Sequence, residues 1–132
     1  KRILFFRINT IPKSVDVIDW YVFGNGREEN LTSLKNVIVE KGKLSHIPEG
    51  FDNNIKDVVD YPSTISSFGW AQPSLKAKVT IVRTTTPPTV EEHSFNGKGI
   101  IYVPDDVIDA YRHSDSWSRV ADRIYPLSEY HS

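Results

Sequence analysis

The sequence predicts a mainly β to α/β chain made of stacked parallel-strand repeats with a helical cap at its C-terminal end, and three observations predict it. Short β-favouring runs, Val37-Ile38-Val39, Val58-Val59, Val79-Thr80-Ile81 and Ile100-Ile101-Tyr102-Val103, begin at 37, 58, 79 and 100, a constant step of 21 residues. A proline-led motif recurs between them: Ile11-Pro12-Lys13-Ser14-Val15 is echoed by Tyr61-Pro62-Ser63-Thr64-Ile65, with Ile47-Pro48-Glu49-Gly50-Phe51 as a degenerate middle copy. After Pro104 the apolar spacing changes from that of strands to that of helices.

A fixed period between about 20 and 29 residues is that of a leucine-rich-repeat type of solenoid. Each unit has an apolar face it cannot cover alone, so neighbours stack and share one core. Proline cannot donate a ladder hydrogen bond, so it closes each strand and turns the chain. Ile3 to Ile8 reads as the first strand. The longer interval from Ile8 to Val37 is filled by a polar loop, Gly24-Asn25-Gly26-Arg27-Glu28-Glu29-Asn30. About five short coils over residues 1–104 are expected, followed by the cap over 105–132, all in one structural domain. In the cap, Asp105 sits where an N-cap belongs, Asp106 favours the helix dipole, and Val107, Ile108 and Tyr111 share a helical face. Trp117, Val120, Ala121 and Ile124 predict a second helix, with Trp117 and Tyr111 in the cap core.

Composition removes several function classes. The 132 residues contain 16 Lys plus Arg against 17 Asp plus Glu, a net charge of -1, which argues against a nucleic-acid or anionic-membrane binder. No apolar run approaches the roughly 18 residues of a transmembrane helix, so membrane insertion is not expected. Cysteine is absent, which excludes disulfides, thiolate zinc sites and cysteine nucleophiles. Methionine is absent as well, even at position 1, which fits a chain that starts after a removed leader or at the edge of a larger protein.

Chemical constellations are missing. The histidines, His46, His93, His113 and His131, lack the spacing of a metal site, and Asp105, Asp106 and Asp109 lack the oxygen pattern of a calcium loop. Gly24-Asn25-Gly26 has no following lysine to make a phosphate loop, and Asn30-Leu31-Thr32 is a formal glycosylation sequon. Glu28-Glu29 and Glu91-Glu92 fall in loops and do not form the opposed pair of a glycosidase. The reading is therefore non-enzymatic, with no catalytic, cofactor-binding or metal-ligating residue and no cofactor. Trp20 and Trp70 occupy comparable places after the proline-led turns, where packing is the first expectation; exposed, they would offer flat faces to a carbohydrate or a protein.

One stretch carries a family resemblance. Thr84-Thr85-Thr86-Pro87-Pro88-Thr89, His93-Ser94-Phe95, Ile101-Tyr102-Val103-Pro104, Ala110-Tyr111, Trp117-Ser118 and Ile124 together resemble the C-terminal end of BspA-like leucine-rich repeat proteins. The match is dense from about Val79 to Tyr130. Upstream, Ile11-Pro12-Lys13-Ser14-Val15 with Ile18 and Tyr21-Val22-Phe23 fits the family's repeat, whereas Trp70-Ala71-Gln72-Pro73 replaces its alanine-phenylalanine step and its cysteine is missing. The resemblance implies a secreted or cell-surface module, bacterial in the first instance, that serves adhesion or binding of a protein partner. On the strand-lined face the expected partner-binding residues are Lys35, Asp57, Asp60, Lys78, Thr80 and Arg83. Two other readings remain open: a structural end module of a larger surface protein or phage appendage, stacking through an apolar edge at Ile3, Leu4, Phe5 and Phe6, and carbohydrate binding through exposed tryptophans.

Overall fold

The computed structural model describes residues 10–23 and 34–131. The expected strand Ile3 to Ile8, the apolar edge within it, and the loop with its glycine pair and sequon lie outside the described residues. The structure is α/β, with parallel strands and little helix. A six-stranded sheet has the order β1-β2-β4-β6-β8-β9, formed by Thr10–Ile11, Asn36–Val39, Val58–Tyr61, Val79–Val82, Ile100–Val103 and Ile124–Pro126. A three-stranded sheet, β3-β5-β7, is formed by His46–Ile47, Ser67–Phe68 and Thr89–Val90. Between β2 and β8 the chain visits the two sheets in strict alternation, and every described strand pair is parallel.

The register carries the period. Asn36 lies opposite Val58, Val58 opposite Val79 and Val79 opposite Ile100, steps of 22, 21 and 21 residues. The first described strand, Thr10–Ile11, immediately before Pro12, pairs with Ile38–Val39. Prolines 12, 48, 62 and 104 each follow directly on a strand, because a residue without an N–H ends the ladder. The sequence pattern had not marked the three-stranded sheet. Its two-residue strands are polar-apolar pairs whose inner members, Ile47 and Phe68, are buried.

Side chains alternate across the larger sheet. Val37, Val59, Thr80, Ile101 and Ile124 stand in register and point inward. An aromatic series runs through the core, from Phe23 to Phe51 (5.3 Å between ring centroids), to Tyr61 (5.9 Å), to Phe68 (4.9 Å) and to Trp117 (6.2 Å). Trp117 is fully buried, touches Phe95 and Tyr111 as well, and its indole N–H donates to the Pro88 carbonyl at 2.9 Å. The Tyr111 hydroxyl donates to the Thr84 carbonyl. Between the last two circuits the backbones approach closely at Gly97 and Gly99, where an added Cβ would meet the Leu75 carbonyl oxygen at 2.1 Å and that of Ala77 at 2.0 Å.

The C-terminal segment is more than a pair of helices. Asp105–Val107 is a 3-10 turn, α1 spans Ile108–Arg112, and Trp117–Arg123 is 3-10 structure broken at Val120 rather than a second α-helix. Ile124 then enters β9, which pairs with β8. Pro104, not Asp105, holds the cap position; the Asp105 carboxylate instead accepts the Ser128 backbone N–H at 3.0 Å, and the Ser128 side chain together with that N–H lowers its pKa.

A buried polar knot ties successive circuits together. Asp52 is 2% exposed; its Oδ2 accepts the Tyr61 hydroxyl at 2.7 Å and its Oδ1 the Ser74 backbone N–H at 3.1 Å. Its own N–H donates to Gln72 Oε1 at 2.9 Å, and Gln72 Nε2 donates to Asn53 Oδ1 and to the Ala71 carbonyl. Burial raises the Asp52 pKa despite these hydrogen bonds, and burial beside Asp52 raises that of Tyr61 well above its usual value.

Thr80 Oγ1 is buried without a hydrogen-bond partner among the described residues, so Thr80→Val should stabilise the fold by about 1 kcal/mol, read as a rise in the denaturation midpoint. Asp52→Ala strands the Tyr61 hydroxyl and the Ser74 N–H and should cost about 2–3 kcal/mol. A carboxyl whose folded pKa is raised favours folding most below its ordinary value of 3.8, and that contribution is lost as pH rises to the folded pKa. Denaturant unfolding from pH 3.5 upward (roughly to 7) should therefore show the stability of Asp52→Asn gaining on wild type as pH rises.

Candidate binding face

The outward rows of the six-stranded sheet form the candidate surface. One row in register is Asn36, Val58, Val79 and Ile100; the next is Thr10, Ile38, Asp60, Ile81, Tyr102 and Tyr125. β-branched and aromatic residues suit a pleated surface, and here they lie on both of its faces. Ile38 is 47% exposed, Ile100 and Tyr125 are exposed, and Val58, Val79 and Tyr102 are half-buried. Ile81 is 2% exposed but outside the core cluster, being covered within the outer row between Asp60 and Tyr102. The Tyr102 ring also lies 6.3 Å from that of Tyr125 and 5.2 Å from that of Tyr130, tilted against both.

Charges border these apolar rows. Lys35, Asp57 and Lys78 make a row just before the strands, joined by the Asp57 N–H to Lys35 carbonyl bond at 2.8 Å. Lys78 Nζ lies 3.6 Å from Asp57 Oδ1 in an exposed pair. Within the face, Arg83 grips Asp60 with two hydrogen bonds, 2.8 Å from Nε and 2.9 Å from Nη2. That fork raises the Arg83 pKa still further.

Five of the six expected residues, Lys35, Asp57, Asp60, Lys78 and Arg83, thus lie on or beside one face. Thr80 does not. It is fully buried, because parallel register with Val59 and Ile101 sets its phase inward whatever its polarity. Polarity marks the rim and misses the apolar centre: Ile38 and Ile100 read only as strand formers, and nothing in the sequence pattern singles out Tyr125. Their signal was the alternation, since the inward members of β2 and β8 are Val37, Val39, Ile101 and Val103.

The tryptophans also depart from expectation. Trp20 is 76% exposed and Trp70 is 42% exposed, whereas packing had been expected for both. Each follows a buried apolar residue of its turn, Ile18 or Phe68, that takes up the space inside.

A pocket of about 240 Å³ bordered by Asn53, Asn54, Ile55, Lys56 and Lys76 is below the ~300–1,000 Å³ usual for small-molecule sites. Among the described residues no three His, Asp or Glu side chains come together to hold a metal ion, and no helix is long and apolar enough to cross a membrane. Neither a protein-family model nor a curated protein matches the sequence, so the surface itself is the ground for a functional reading.

The Asp60–Arg83 pair is surface-bound and salt-screened. Arg83→Ala should change stability by less than about 1 kcal/mol in thermal denaturation, leaving a folded protein in which this charge can be tested for binding.

Proposed function

We propose that this chain is a leucine-rich-repeat solenoid acting as a non-enzymatic binding module, and that a protein partner docks on the outer face of its six-stranded sheet. The observation that carries the reading is the pair of apolar outer rows, centred on Ile38, Val58, Val79, Ile100, Tyr102 and Tyr125 and edged by Lys35, Asp57, Lys78 and the Asp60–Arg83 pair. An apolar centre within a polar rim is the anatomy of a protein-protein interface. Exposed apolar residues gathered in one patch cost solubility unless something covers them. Adhesion at a bacterial cell surface, carried by the BspA-like resemblance, is part of the same proposal.

The solenoid reading is supported by the alternation between two parallel sheets at steps of 21 and 22 residues. Binding is spread over a flat sheet rather than held in a pocket, so affinity should reside in a few apolar anchors.

The test compares wild type with an Ile38→Asp/Ile100→Asp double variant. Both positions are exposed, so the variant should fold. Proteins captured from a surface extract should be held by wild type, fall by about tenfold or more on the double variant, and depend on Arg83 when salt is low. Equal capture of the same identified protein by both forms would sink the proposal. If light scattering instead shows wild-type dimers that the double variant dissociates, the face belongs to a second copy of this chain.

A further inference from the structure

The exposure of Trp20 and Trp70 follows a rule of the fold. In the three-stranded sheet Ile47 is level with Phe68, and Phe68 with Val90. Continued two residues onward, that register sets Glu49 beside Trp70 and Trp70 beside Glu92. The next residue in each circuit takes the left-handed conformation: Gly50 with φ 80°, Ala71 with φ 63° and His93 with φ 64°. Tyr21 has φ 50° and belongs to the same column, because its N–H donates to the Glu49 carbonyl at 3.0 Å just as the Ala71 N–H donates to that of Glu92 at 2.9 Å. Trp20, Glu49, Trp70 and Glu92 are therefore equivalent positions on four successive circuits. Equivalent backbone conformation aims their side chains alike, so indole and carboxylate alternate along one edge.

Neighbouring contacts hold this ladder in place. The Tyr21 hydroxyl donates to Glu49 Oε2 at 2.6 Å, which steadies the carboxylate between the two indoles. The His93 ring lies 4.8 Å from that of Trp70, tilted by 48°, and supports it from the next circuit. Adjacent parallel strands lie about 4.8 Å apart, which places the two indoles roughly 10 Å from one another.

We propose that this ladder is a second binding site, a platform for a neutral oligosaccharide. It belongs to the turns after the three-stranded sheet and is independent of the six-stranded face. A pyranose ring presents a face of C–H groups to an indole and its hydroxyls donate to carboxylates, so alternating indole and carboxylate match a chain of sugars. Two indoles two rungs apart suit alternate units of an extended glycan. Charge selects the neutral class: Glu49, Glu91 and Glu92 stand in or beside the ladder, and no lysine or arginine occupies its four positions. Uronic-acid, sulfated or phosphorylated chains are repelled. A lone cation is a poorer fit, since cation–π attraction reaches only about 6 Å from a ring and the indoles are too far apart to enclose one.

The test is a fluorescence titration of the intact chain with cellulose-, chitin- and mannan-derived tetrasaccharides. The protein has 3 tryptophans and Trp117 is fully buried, so the signal change reports Trp20 and Trp70. A saturable response is expected with at least one tetrasaccharide, unchanged between roughly 0.05 and 0.5 M salt. Trp20→Ala and Trp70→Ala should each weaken it by about tenfold, Trp70→Phe by less, and Ile38→Asp not at all. Circular dichroism on each variant separates lost binding from lost fold. The proposal is overturned by the absence of saturation with all three probes, by tetrasaccharide affinity that both alanine variants retain, or by binding that collapses at high salt. Equal capture of the sheet-face partner by wild type and the Ile38→Asp/Ile100→Asp variant, with tetrasaccharide binding intact, would overturn only the protein-docking proposal.

Discussion

Everything in this structure depends on register. Strands of two to four residues are too short to persist alone, and each is held because the same strand recurs one circuit later in parallel alignment. Register also fixes phase, since a slip of one residue would turn every inward side chain outward. The ladder from Val37 through Val59, Thr80 and Ile101 to Ile124 shows how strict this is. It carries a threonine into the core because the four neighbours in its row leave no other orientation. Polar satisfaction yields to alignment at Thr80, whereas at Asp52 the same core surrounds a carboxylate with donors.

Much of the fold could be read from the chain because its period is written in β-branched residues. Positions 37, 58, 79 and 100 carry valine or isoleucine, and each lies within a strand of the larger sheet. Prolines 12, 62 and 104 marked strand ends for a local reason, the missing N–H. The smaller sheet was harder to see, as two-residue strands such as His46–Ile47 leave no alternation to detect. The cap misled differently: Trp117, Val120, Ala121 and Ile124 have helical spacing, yet the chain breaks at Val120 and Ile124 goes to the open edge of β8. Tertiary pairing overrode local periodicity there.

The candidate surfaces were legible only in part, and for a common reason. Charge is visible in a sequence, so Asp60 and Arg83 were picked out although their forked contact spans 23 positions. An exposed apolar side chain looks like a core residue until its phase is known, which hid Ile38 and Ile100. Trp20 and Trp70 needed more still. Their equivalence rests on left-handed residues at Tyr21 and Ala71, which are not the glycine or asparagine that would announce such a conformation.

The ninth strand has a further effect on how the molecule meets other copies of itself. An open parallel sheet normally ends in a row of unused donors and acceptors, a template onto which foreign strands can add. Here the flank of β8 is taken by three residues that finish in Pro126, which has no donor to offer, and the chain leaves at once into a 3-10 turn at Leu127–Glu129. That side of the sheet is a terminus in the polymer chemist's sense. A short strand that ends in proline disfavours edge-on addition of a further strand from this flank.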